Sequence, residues 1–179
     1  MSKRMFATRK LVMVSLFIAM QIVLSRLVAP INLPYVKVSF TFVPMAMCSI
    51  MYGPLVGGLS AFLADYLGMM IMPTGSGGYF LGFGVTAFLS GAFYGLFTKK
   101  WGVKTQTITA AVLASRLIAN LLINTYWISI LMGQGYMATL PPRIVSTALM
   151  IPIEILMLKA MWQYIGHRLS VNYGDESLL

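Results

Sequence analysis

The chain has 179 residues, 59% of them hydrophobic and 9% charged, with a formal net charge of +9. Soluble domains carry about 25% charged residues, so this composition excludes a water-soluble globular domain. Its apolar blocks are not the ~10-residue alternating segments of a membrane β-barrel, and at ~20 residues per crossing the length allows about six helical spans.

The first span is expected at 10–29. A basic N-terminus leads into it and no small-residue cleavage site follows, which reads as an uncleaved span and not a signal peptide. Within it, Ser15 and Ala19 form a small-xxx-small pair suited to close packing, inside the molecule or against a partner. A short second span is expected at 38–52, and Tyr52-Gly53-Pro54 turns tightly into a third at 54–72. Gly53, Gly57, Ala61, Ala64 and Gly68 give that span a small-residue stripe. The stretch PTGSGG, 73–78, cannot hold a helix. A fourth span follows at 79–98, with Gly84, Ala87, Gly91 and Gly95 on a matching stripe, then a fifth at 106–132 and a sixth at 141–165. No internal repeat or low-complexity segment interrupts them. The expected fold is an all-α integral membrane protein: one membrane-embedded domain over 1–179, with six transmembrane helices.

The net charge does not imply nucleic acid, because the positions of the charges give a membrane account. With the N-terminus inside, nine of the thirteen basic residues fall at the inner face: Lys3, Arg4, Arg9, Lys10, Lys99, Lys100, Lys104, Lys159 and Arg168. The positive-inside rule therefore places both termini in the cytoplasm of a multi-pass cell-membrane protein. Outer loops are expected at 30–37, 73–78 and 133–140. Of the four remaining basic residues, Arg26, Lys37 and Arg143 gather at the outer ends of spans one, two and six. They either snorkel to phosphate headgroups or form an anion site open to the outside.

The fifth span carries RLIANLLINTYW, in which Arg116, Asn120, Asn124 and Trp127 share an arc of roughly 80° at 100° per residue. Polar groups in lipid are expensive, so this stripe faces protein or a cavity. Asp65 and Glu154 lie at a depth similar to Arg116, ~15 Å from the inner face at 1.5 Å per residue. Arg116 is expected to be neutralised by one of them. These three are read as structural charges flooring the bundle, below the ligand contacts. Above them, amides, an indole and cations suit an anionic, flat, hydrogen-bonding molecule.

Other chemistry has no residues to carry it. Cys48 is the single cysteine and His167 the single histidine, so no multi-cysteine metal site is expected. The sequence has no G-x-x-x-x-G-K-[ST] loop and no H-E-x-x-H, and PTGSGG has no βαβ unit around it. No catalytic residues, metal or cofactor are expected, and the protein is read as a non-enzyme.

The segments SRLVAPINLPYVKVSFTFVP, YGPLVGGLSAFLADYLG, PTGSGGYFLGFGVTAFLSGAFYG and NLLINTYWISILMGQGY together resemble the substrate-binding S components of energy-coupling factor (ECF) transporters, most closely the folate-specific members. The resemblance covers residues ~10–165. It implies a six-helix bundle that captures a vitamin from outside and delivers it inward, docked on a transmembrane coupling protein and two ATPase subunits that use the ATP. It implies docking through Ser15 and Ala19, although two alanines are more typical there. It also implies a gate over the site in the loop between helices three and four. Folate would fit with its ring system near Asn120, Asn124 and Trp127. Its carboxylates would meet Arg26, Lys37 or Arg143, under a lid that includes Thr74, Gly75, Tyr79, Phe80 and Phe83. The alternatives are another vitamin (riboflavin, thiamine or pantothenate) or a membrane assembly protein with no small ligand. Arg26 shares an ideal helical face with Ser15 and Ala19, so a docking face there competes with a pocket-facing Arg26.

Overall fold

The computed structural model describes residues 3–26, 31–33, 36–38, 40–72, 80–133 and 135–166. Its helices are α1 (Lys3–Arg26), α2 (Phe42–Tyr52), α3 (Pro54–Ile71), α4 (Leu81–Trp101), α5 (Thr105–Ala114), α6 (Asn124–Met132) and α7 (Tyr136–Met161). A π-helical segment, Ser115–Ile123, joins α5 to α6, so the three make one continuous rod, and a second π-helical turn, Trp162–Gly166, ends α7. Five helical stretches are long and apolar enough to cross a membrane. The described residues thus form an apolar helical bundle, as the composition requires.

Two span starts and one connection differ from expectation in ways that shape the site. The second span begins at Phe42, not at 38, and its 11 residues reach only about 16 Å at 1.5 Å per residue. That is about half of the ~30 Å hydrocarbon layer. Before it, β1 (Ile31–Leu33) and β2 (Val36–Val38) form an antiparallel hairpin that pairs Asn32 with Lys37. The sequence VKVSFTF alternates apolar and polar residues there, a period-two signal for strand that an overall apolar reading hides. The last span begins at Tyr136, so most of the expected outer loop 133–140 is helix. Pro141 and Pro142 resemble a helix boundary, yet the preceding turn is closed by the Ala138 and Thr139 amides donating to the Gly135 carbonyl.

The seam between α3 and α4 is built on glycine. A Cβ at Gly91 would stand 2.7 Å from the Gly57 carbonyl oxygen, and one at Gly95 2.5 Å from the Pro54 nitrogen. Both obstacles are backbone, so any side chain would force the helices apart. Small residues allow this approach in a membrane, where packing replaces the hydrophobic drive. α4 also packs on α2, α5, the π segment and α6, which places it at the centre, while α1 packs on α2 and α3. The main core joins Phe42, Val43 and Ala46 to Tyr94, Ala111, Val112 and Met150.

Lysines collect at one end. Lys10 lies 5.5 Å from the centre of the Tyr52 ring and Lys100 lies 5.0 Å from that of Trp101. Lys99 and Lys100 sit in the last turn of α4, and Lys159 in the last turn of α7. The start of α1, the α2–α3 turn, the end of α4 and the end of α7 meet at this end because the helices alternate in direction.

Candidate functional site

A cavity of about 320 Å³ opens between the helices, lined by residues of α2, α3, α4, the π segment, α6 and α7. The shortness of α2 helps to make it, since Thr41, Phe42 and Met45, at the start of that helix, form part of the wall. α4 adds Phe83, Thr86, Ala87 and Ser90, the fifth rod adds Ser115, Arg116, Asn120 and Asn124, and α3 and α7 add Asp65 and Glu154.

Its lower wall is a closed polar network. Glu154 is 1% exposed. It accepts a hydrogen bond from the Tyr94 hydroxyl on Oε1 and one from the Arg116 Nε on Oε2. Arg116 and Glu154 form the ion pair, which satisfies two groups whose lone insertion in lipid costs at least ~2.5–3.5 kcal/mol each. Depth alone left Asp65 and Glu154 as equal partners for Arg116; helix rotation selects Glu154. Tyr94 is a member that the sequence reading missed. Its signal was available, because Thr86, Ser90, Tyr94 and Thr98 recur every four residues on α4, and all four are buried.

The charges read as lying beneath the ligand contacts in fact line the cavity itself. Asp65, Arg116 and Glu154 share its wall with Asn120 and Asn124. The π segment contributes here. The Asn120 amide donates to the Ser115 carbonyl, five residues back, at 3.2 Å, and lies 3.5 Å from the Ser90 hydroxyl. The sequence predicts an ordinary α-helix across Ser115–Ile123. Single-residue propensity gives no cue for π winding, which recurs at functional sites.

Above this layer, buried polar atoms have no hydrogen-bond partner among the described residues: Asn124 Oδ1, Trp127 Nε1 and Arg143 Nη1. Trp127 does not line the cavity wall; its ring packs edge-on against Phe80, centroids 5.5 Å apart. Phe80 also meets Phe83 at 5.6 Å, so two of the expected lid aromatics and the indole form one cluster. A Cβ at Gly82 would lie 2.7 Å from the Trp127 ring, so the glycine lets the indole lie flat on α4.

The expected cations are distributed differently. Arg26, the last residue of α1, lies over Gly68 of α3, its Nε 3.1 Å from where a Cβ would be. Ser15 and Ala19 remain exposed on α1, so the long Arg26 side chain reaches α3 while the small pair stays outside. Lys37 is in β2, which packs against α7, the helix that carries Arg143. The Lys37 side chain, Thr74, Gly75, Tyr79, His167 and Arg168 lie outside what the structure describes.

An apolar helical bundle with polar side chains lining a cavity between its helices, and with lysines gathered at one end, has the build of a small multi-pass membrane protein. Residues 9–161 match the family described as the ECF transporter, substrate-specific component, and the chain belongs to that family. It is 33% identical to the folate transporter FolT of Clostridium novyi (strain NT) over 155 residues, 87% of this chain and 88% of that one. It is 32% identical to the folate transporter FolT of Leuconostoc mesenteroides over 154 residues, 83% of this chain and 81% of that one. A solved structure of FolT bound with folic acid superposes with a TM-score of 0.77 at 31% identity, covering 86% of this chain and 92% of that one. A structure of the S component of a bacterial ECF transporter, 18% identical, superposes with a TM-score of 0.60 over 89% of this chain and 98% of that one, a likeness of fold.

Proposed function

We propose that this chain is the folate-binding subunit of an ECF-type importer. The observation that carries the reading is the cavity wall. Asn120 and Asn124 line it, and Asn124 Oδ1, Trp127 Nε1 and Arg143 Nη1 are buried without partners among the described residues. An unsatisfied polar group in a bilayer costs several kcal/mol, so the orphaned Asn124 oxygen on the wall, with Trp127 and Arg143 unpartnered outside that lining, suits a bound ligand with complementary edges. Likeness to a chain solved with folic acid narrows that ligand to a flat heteroaromatic ring with an anionic tail.

In this reading the ring lies among Asn120, Asn124 and the Phe80–Phe83–Trp127 cluster. Arg143 takes a tail carboxylate, and Arg26 and Lys37 are further candidates. The termini and the basic end lie in the cytoplasm, in keeping with the positive-inside rule. The exposed Ser15–Ala19 face of α1 meets the transmembrane coupling protein, and ATP is used by two separate ATPase subunits.

Binding to the purified chain tests the reading. Folic acid is expected to bind tightly, and riboflavin, thiamine and pantothenate at micromolar affinity or weaker. Tightest binding of one of the other three would overturn the choice of vitamin. No binding by any, with a protein partner co-purifying, would favour an assembly role.

A further inference from the structure

We propose that Asp65 recognises the ligand ring, its carboxylate accepting two hydrogen bonds from an amidine-type edge in which a ring N–H stands beside an exocyclic amine. The assignment rests on the folate reading above and extends it to one subsite.

Asp65 and Glu154 are the two carboxylates that line the cavity. Glu154 is occupied on both oxygens, by Tyr94 and by Arg116. Asp65 is not: its Oδ2 is buried and accepts no hydrogen bond among the described residues. Arg26 lies over Gly68, about one turn further along α3. An ionised carboxylate accepts only, and its two oxygens can take two parallel donors.

The other walls offer the complement. The Ser90 hydroxyl and the Asn124 side-chain amide can donate to a ring carbonyl, while the Asn120 amide nitrogen is engaged by Ser115 and Ser90. The pyrimidine half of folate presents an N–H and an exocyclic amine beside a carbonyl, which pairs donors with Asp65 and the acceptor with the amide wall. Asp65 is eleven residues into α3, about 16 Å from its start at 1.5 Å per residue, whereas Arg26 ends α1 at the far end. The ring edge therefore points down into the bundle and the anionic tail points up toward Arg143. The competing role for Asp65 is a plain counter-charge to Arg26, indifferent to what the ring carries.

Two ligands separate these roles: folic acid and its 2-desamino analogue, which lacks the exocyclic donor. The unaltered protein is expected to bind the analogue roughly 10–150-fold more weakly. Asp65→Asn is expected to weaken folic acid by a similar factor and the analogue far less, so that the ratio contracts toward one. Equal affinities in the unaltered protein, or an Asp65→Asn loss of the same factor for both ligands, would overturn the assignment. If Asp65→Asn does not accumulate, the ratio in the unaltered protein decides. Failure of the unaltered protein to bind folic acid at all overturns the folate reading itself, a result readable separately from an absent ratio.

Discussion

The polar groups at the base of the cavity and those gathered at and beyond Asn124 are built on opposite principles. Below, Glu154 takes a hydrogen bond on each oxygen, from Tyr94 and from Arg116, so that one carboxylate ties three helices together. Above, Asn124, Trp127 and Arg143 each keep a buried atom without a partner among the described residues. A closed network holds helices together, because each group is satisfied only while all three stay in place. An open set contributes little to the empty fold and keeps its capacity for a ligand. Asp65 belongs to the lower part by depth and to the upper part by its unused oxygen.

Substitutions can break this contrast. The largest effect is expected from Glu154→Ala, which leaves the half-buried Arg116 charge without its partner. Breaking a buried pair costs about 3–5 kcal/mol, read as a fall in thermal stability of the unliganded protein in detergent. Unchanged stability would mean that the lower network is not structural. Next is Arg143→Ala, expected to leave unliganded stability nearly intact. It should weaken folic acid roughly 10–150-fold, the loss of a charge-assisted hydrogen bond, and a pterin lacking the glutamate tail much less. Equal losses for both ligands would move Arg143 into the structural class. The smallest is Trp127→Phe, which keeps the ring contact with Phe80 and removes only the N–H. A neutral hydrogen bond is worth about 0.5–1.5 kcal/mol, so a weakening of about 2–12-fold is expected in titration calorimetry. No change at all would show that the indole N–H stays unpaired in the complex.

The seam of α3 and α4 sits outside this contrast and was largely legible. Gly57, Gly91 and Gly95 recur at spacings of four on their helices, and the backbone contacts at Gly57 and Gly95 follow from that spacing. The cavity was legible in part. Asn120 and Asn124 were marked by being amides on one face of an apolar helix. Tyr94 was marked only by its place in the four-residue recurrence of Thr86, Ser90, Tyr94 and Thr98, since a tyrosine in an apolar span otherwise reads as packing. The hairpin before α2 was written in the alternation of VKVSFTF, and the start of α7 was masked by the Pro141-Pro142 pair.

By itself the sequence determined the solvent of this protein, the rough count and order of its helices, the gathering of basic residues at one end and the common depth of Asp65, Arg116 and Glu154. These follow from hydrophobicity, length and rise per residue, which are properties of a segment alone. Only the tertiary structure decided that Glu154 and not Asp65 takes Arg116, that Tyr94 completes that network, and that the fifth rod winds as a π-helix across the cavity. Those outcomes depend on how each helix is rotated against its neighbours, and that rotation is fixed by contacts between segments far apart in the chain.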